Sequence, residues 1–389
     1  MRNDSYQLRA DVLCSLGASP AACAELLTYN TPSFTVPKAG SLSYPMDDEA
    51  FVPVWREYAA LARTNGFAAL SEVFAQLTFP IQEGISSTPE YIDVVQNGLA
   101  RKVANKVSPL ESPEAVRIDI YRGLAGAIPV ITTSNRSDFA SLVRIFGRRN
   151  EPVPIPASMG ATFVSGYNNW DRLRRSIGPT SLANNEDGLR AFNDPKREPM
   201  LFKDRFIILS SSTQYSGVDA GSLHLPENKW LHLSFLIRRE HEYTHYFTKR
   251  VMHSCRNRIH DELLADYAGL KAAIGQFRAD WFLRFLGLEG YSQYRTGGRM
   301  ENYRGNPRLT DGAFAVLQKL TIEAALNVER FDRESVKGSA GTSVLMTLAS
   351  YSLEQMASPC GFQLLASTYA RESEAAACSS RSRADMALL

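Results

Sequence analysis

Histidine is scarce and confined in this chain. Six are present among 389 residues, and all lie between His224 and His260. Any acid–base or metal chemistry that uses imidazole is therefore restricted to that stretch. Long apolar runs are missing too. None approaches the roughly 18 residues of a membrane-spanning helix, which excludes a membrane partner of that kind. Charge of one sign is not in excess, with 43 basic and 41 acidic side chains. So even a balance argues against nucleic acid or an anionic membrane as partner. Cysteine is sparse and odd in number: Cys14, Cys23, Cys255, Cys360 and Cys378, with no Cys-x-x-Cys pair. That excludes a disulfide framework and fits a reduced, cytoplasmic compartment. Met1-Arg2-Asn3-Asp4-Ser5 leads into a charged helix without an apolar core, so no secretory signal is expected.

What remains is an ordinary globular composition, with 44% hydrophobic and 22% charged residues, long enough for two or three lobes. No internal repeat is evident. Ser19-Pro20 opens a short helix ending near Tyr29, with serine as cap and proline as first residue. Helical periodicity runs over 47–79 with an interruption at Asn65-Gly66, and again over 91–107. Strands are predicted at 116–121, 128–132, 163–166 and 205–210, and a helix at 138–146. Residues 178–200 read as a loop. Helices follow at 311–327 and 343–356, and the last fifteen residues read as frayed. These signals divide the chain into a mixed region 1–200, a segment 201–280 holding the histidines, and a helical lobe 281–389.

The decisive run is His241-Glu242-Tyr243-Thr244-His245. It sits in a helix predicted over 230–252, where Trp230, Leu233, Ile237, His241, His245, Thr248 and Met252 share one stripe. Two histidines four apart on a helix lie one above the other. Both imidazoles can then reach one metal ion, and the glutamate beside the first can take a proton from a water on that metal. A second helix, predicted over 257–277, carries Glu262 and Asp266 on one face. Glu262 is the simplest third ligand, and Asp266 the simplest carboxylate to hold the outer N–H of a ligand histidine.

This pattern, His-Glu-x-x-His followed by Glu-x-x-x-Asp, resembles the zincin metallopeptidases, specifically the glutamate-ligand, thermolysin-like (gluzincin) group. The resemblance covers His241 to Asp266. It implies one zinc per chain held by His241, His245 and Glu262, with Glu242 as general base and acid and Asp266 behind a ligand histidine. It also implies a core of strand, metal helix and ligand helix, in an α+β, helix-rich chain with a mixed N-terminal half and a helical C-terminal lobe. The implied activity is hydrolysis of a peptide or a small amide. Metzincins fit worse, because the places of their glycine and third histidine hold Thr248 and Val251.

One feature departs from the thermolysin-like pattern: no histidine follows His260 to stabilise the oxyanion. The loop 290–307 interleaves tyrosine, arginine and glycine, and supplies the candidates Tyr291, Tyr294, Arg295, Arg299 and Tyr303 for oxyanion or substrate contact. The departure also leaves two alternatives open. One is a metal-dependent, non-proteolytic enzyme of small-molecule (secondary metabolite) biosynthesis. The other is a non-catalytic protein braced by a structural metal. Elsewhere, His224, His232, His253 and His260 read as structural or surface residues, Pro152–Ala161 as a rigid connector, and Arg172, Arg174 and Arg175 as a solvated face.

Overall fold

A computed structural model describes residues 2–99, 108–177, 203–338 and 341–386. The loop expected at 178–200 lies outside them, as does the second half of the helix expected over 91–107. The chain divides into two compact units. One joins Met1–Met46 to Tyr215–Leu389, and the other is Asp47–Gln214. The boundaries expected near residues 200 and 280 fall elsewhere. The segments 201–280 and 281–389 mostly share a unit, together with the first 46 residues.

The chain opens in the first unit with α1 (Arg2–Ser15) and α2 (Pro20–Tyr29). The Ser19 hydroxyl accepts from the Ala22 amide at 3.2 Å, so α2 starts and ends where its cap residues predict. The second unit then begins with α3 (Val52–Asn65), which ends at Gly66. Beyond Gly66 the predicted periodicity continues only as short 3₁₀ turns, Phe67–Glu72 and Ala75–Thr78. Over 91–99 there is one wide helical turn, Ile92–Gln96.

Four strands follow: β1 (Val116–Gly123), β2 (Gly126–Thr133), β3 (Ala161–Asn168) and β4 (Lys203–Ser210). They form a mixed sheet in the order β1-β2-β4-β3, with β2 parallel to β4 and the other pairs antiparallel. Helices α4 (Arg136–Gly147) and α5 (Trp170–Ile177) complete the described part of this unit. Its core is aromatic: Trp55, Phe74 and Phe206 are fully buried, and the Trp55 indole donates to Asp204 at 2.8 Å. The arginine run on α5 is a solvated face only in part: Arg175 is exposed, while Arg172 and Arg174 are half-buried. Arg172 binds the buried Asp204, Arg174 donates to the Gly98 carbonyl, and Arg175 pairs with Glu57 and Asp171. Asp204 has no exposure, and the unit supplies a cation to match it.

The first unit resumes with α6 (Glu227–Val251) and α7 (Ile259–Ile274), which pack against each other. Pro226 precedes α6 and Glu227 stands in its first turn, while Lys249 and Arg250 complement the dipole in its last. The left-handed backbone at His253 ends the helix path, and α7 closes at left-handed Gly275. Every member of the predicted stripe on α6 is buried. Gly269 of α7 makes the close approach possible: a Cβ there would lie 2.8 Å from the Ile237 carbonyl oxygen.

Then come α8 (Ala279–Leu286), α9 (Asp311–Ser335), α10 (Thr342–Ala349), α11 (Leu353–Ala357) and α12 (Gly361–Met386). The helix expected over 343–356 is broken in two, because Ser352 and Gln355 form a capping box that starts α11 afresh. The tail expected to fray continues as helix to Met386. The molecule is helix-rich α+β, with all its described strands in the second unit. That includes β4, the strand expected beside the metal helices. Among the described residues no helix is long and apolar enough to cross a membrane.

Candidate metal centre

His241 and His245 project from the buried stripe of α6, with their Nε2 atoms 3.1 Å apart. Glu262, in the first turn of α7, faces both. Its Oε2 is 3.5 Å from His241 Nε2, and its Oε1 is 3.6 Å from His245 Nε2. One donor atom from each of the three lies within 4.8 Å of the others, and all three residues are buried. Neighbouring ligands of a tetrahedral zinc, at their usual bond lengths, stand about 3.3–3.4 Å apart. The three separations bracket that value. Two imidazoles and one carboxylate are also the donor set of many catalytic zinc sites, where a fourth position is left for water.

Behind the first histidine lies a second layer of contacts. His241 Nδ1 is 2.8 Å from Asp266 Oδ1. A carboxylate only accepts, so Nδ1 carries the proton and Nε2 presents its lone pair toward His245 and Glu262. The Tyr215 hydroxyl donates to the same Asp266 oxygen at 2.5 Å and lies 3.0 Å from His241 Nδ1. Arg299 donates to the Tyr215 hydroxyl at 2.9 Å and to Asp266 Oδ2. Tyr215 is held in turn: its amide donates to the Ser234 hydroxyl, and its ring meets Phe285 edge-on.

These contacts set the charges. Burial pushes the Asp266 carboxyl up, but the charge of Arg299 and the interaction and hydrogen bond with His241 outweigh it and hold the carboxyl down at about 2. Burial opposes a proton on His241, yet the charge and hydrogen bond of Asp266 raise its pKa above the ordinary value. His245 lacks such a partner. Burial and the neighbouring His241 take it down to about 4, so it is a neutral imidazole with a lone pair to give.

Glu242, which follows His241 in the sequence, is buried at 8% exposure. It lies near Cys255, whose thiol is pushed up to about 12 by burial and by the charges of Asp261, Glu242 and Glu262. Cys255 is half-buried, and its thiol, held in the protonated form, is not a ready metal ligand.

Of the five loop candidates, the structure brings two to the centre. Tyr303 donates to Glu262 Oε2 at 2.7 Å, and Arg299 engages Asp266 and Tyr215. The loop can deliver them because Gly287 and Gly298 touch: a Cβ on Gly298 would meet the Leu286 carbonyl at 2.5 Å. The other three are placed elsewhere. Tyr291 is exposed, Tyr294 donates to the Gly298 carbonyl, and Arg295 pairs with Glu289. His260 stays structural, bonded to the Leu348 carbonyl and edge-on to Phe34. His224, His232 and His253 are exposed.

Tyr215 is the participant that motif reasoning missed. It precedes the metal helix in a 3₁₀ turn, Tyr215–Gly217, with no periodicity to mark it. The stretch Ser210–Gly217, small and polar apart from this aromatic, was the available signal.

The sequence matches a family of unknown function, DUF7005, over residues 11–360. The chain belongs to that family. The match takes in the whole donor set and both loop residues that reach it. No curated protein and no solved structure matches the chain.

Proposed function

We propose that this member of DUF7005 is a cytoplasmic zinc-dependent hydrolase of peptides or small amides, with one zinc held by His241, His245 and Glu262. The observation that carries the reading is the buried three-residue donor set with separations of 3.1, 3.5 and 3.6 Å and an intact Glu242 next to it. The backing of His241 by Asp266 supports it, since ligand histidines are characteristically oriented this way. The free thiols of Cys14, Cys23, Cys255 and Cys360 support the reduced compartment.

A zinc ion bound there supplies a Lewis acid and brings the pKa of a coordinated water down to about 7. The chain's own residues do the rest. Glu242 takes a proton from the attacking water and returns it to the leaving nitrogen. His245, neutral, and His241, with its proton on Nδ1, keep both Nε2 atoms available to the metal. Asp266, Tyr215 and Arg299 prevent His241 from turning. Tyr303 is the candidate donor to the oxyanion that develops on the amide, the role left open by the missing downstream histidine; its single hydroxyl proton, given to Glu262 in this structure, would turn to the amide oxygen as that charge develops.

The test is Glu242→Gln beside the wild type, both purified without chelator or affinity metal. The expected result is about one zinc per chain in each, with amide turnover lowered by about 10²–10⁴-fold in the variant. Equal turnover removes Glu242 as the base. A wild type that binds no zinc when zinc is offered removes the metal reading. Iron with oxygen consumption points to the biosynthetic alternative instead.

A further inference from the structure

A cavity of about 570 Å³ opens in the same unit, lined by residues of α2, the α6–α7 connection and the end of the 290–307 loop, among them Glu25, Tyr29, Arg256, Arg258 and Asn302. Its wall adjoins the candidate centre through one side chain. The Tyr29 hydroxyl donates to the Tyr303 carbonyl at 2.6 Å, and the Tyr303 hydroxyl donates to Glu262. The backbone amide of Arg256 bonds to Asp261, the residue before Glu262.

The charged side chains that line the cavity are two arginines, Arg256 and Arg258, and one glutamate, Glu25. Both oxygens of Glu25 are taken by the amide and hydroxyl of Thr310, at 2.7 Å each. Arg258 donates to the Tyr29 carbonyl and lies over the Tyr29 ring. Nearby, Arg304 pairs with Asp311, and Arg308 with Glu301. Arg256 is exposed, and its guanidinium has no ion-pair or hydrogen-bond partner among the described residues. With two arginines against one glutamate the lining is net cationic, and Arg256 is the arginine whose planar fork is open to a carboxylate.

We propose that this cavity is the subsite for a carboxylate of the substrate, gripped by Arg256, while the amide to be cut lies at the His241–His245–Glu262 centre. The substrate class is then an amide bearing a free carboxylate, such as a short peptide with its C-terminus unblocked. This rests on the hydrolase reading for the placement of the amide. The carboxylate site itself is tested by binding alone.

The experiment titrates N-acetyl-dialanine and its C-terminal amide calorimetrically into Glu242→Gln protein, which holds the ligand without turnover. The expected preference for the free acid is about tenfold, the scale of one charge-assisted contact. Adding Arg256→Gln abolishes that preference, Arg256→Lys restores part of it, and adding His245→Ala leaves it intact. Equal binding of acid and amide overturns the proposal, as does absence of acid binding at millimolar concentration. A preference that survives Arg256→Gln also overturns it. So does one that disappears with His245→Ala, because the carboxylate then sits at the centre and not in the cavity. An Arg256-dependent preference in protein that holds no zinc keeps the subsite and discards the hydrolase.

Discussion

Asp266 receives three donors, from His241, Tyr215 and Arg299, and has no exposure. Replacing it by asparagine puts an amide N–H where only acceptors fit, or turns the ring of His241 to avoid one. Asp266→Asn should therefore weaken zinc binding by about 10–100-fold, and Tyr215→Phe by less, as read by competition with a chromogenic chelator. Unchanged zinc affinity in Asp266→Asn would mean that the carboxylate does not orient the ligand. Asp266 was legible from its spacing to Glu262 on one helix face. Tyr215 was not, because its contact with Asp266 crosses 51 residues and depends on how a turn meets two helices. Arg299 and Tyr303 were legible only as members of a group of five, since nothing in the loop sequence says which side chains turn inward.

The helices α6 and α7 carry the centre, and their spacing decides whether three donors meet. Gly269 fixes that spacing against Ile237, with backbone 2.8 Å from where a methyl would stand. Gly269→Ala is expected to push the pair apart, cost about 1–3 kcal/mol in denaturant unfolding, and reduce zinc stoichiometry under dilute metal. Full stability with full zinc content would show that the contact relaxes without moving the donors. Both helices were readable because a buried helical stripe repeats every three to four residues and keeps that period to its end. The break between α10 and α11 was hidden for the converse reason. Val344 to Met356 is apolar enough to read as one helix, and only the pairing of Ser352 with Gln355 three residues on marks a new start. Similarly, β4 looked like part of the metal core because it precedes α6 in the chain, yet it pairs with β2 and β3 in the other unit.

For the molecule as a whole, the division at Met46 and Tyr215 was invisible in composition, which does not change at either point. What unites the outer segments is long-range pairing. Arg9 meets Glu354 at 3.1 Å, and Asn30 binds the same carboxylate, which has no exposure. Arg9→Ala leaves that charge with only the Asn30 amide and should cost about 3 kcal/mol, whereas Arg9→Met with Glu354→Leu should cost less. Urea unfolding of the three proteins checks it, and a loss below about 1 kcal/mol in Arg9→Ala would show that water or a neighbour replaces the arginine. The split arrangement also sets an order of events during synthesis. Asp47–Gln214 leaves the ribosome as an uninterrupted stretch and has all its own partners at once. The opening helices emerge earlier but must wait, because the partner of Arg9 is made 345 residues later. The metal helices arrive in between, so the nascent chain holds the complete donor set before Arg299 and Tyr303, which bind Asp266 and Glu262, have been made.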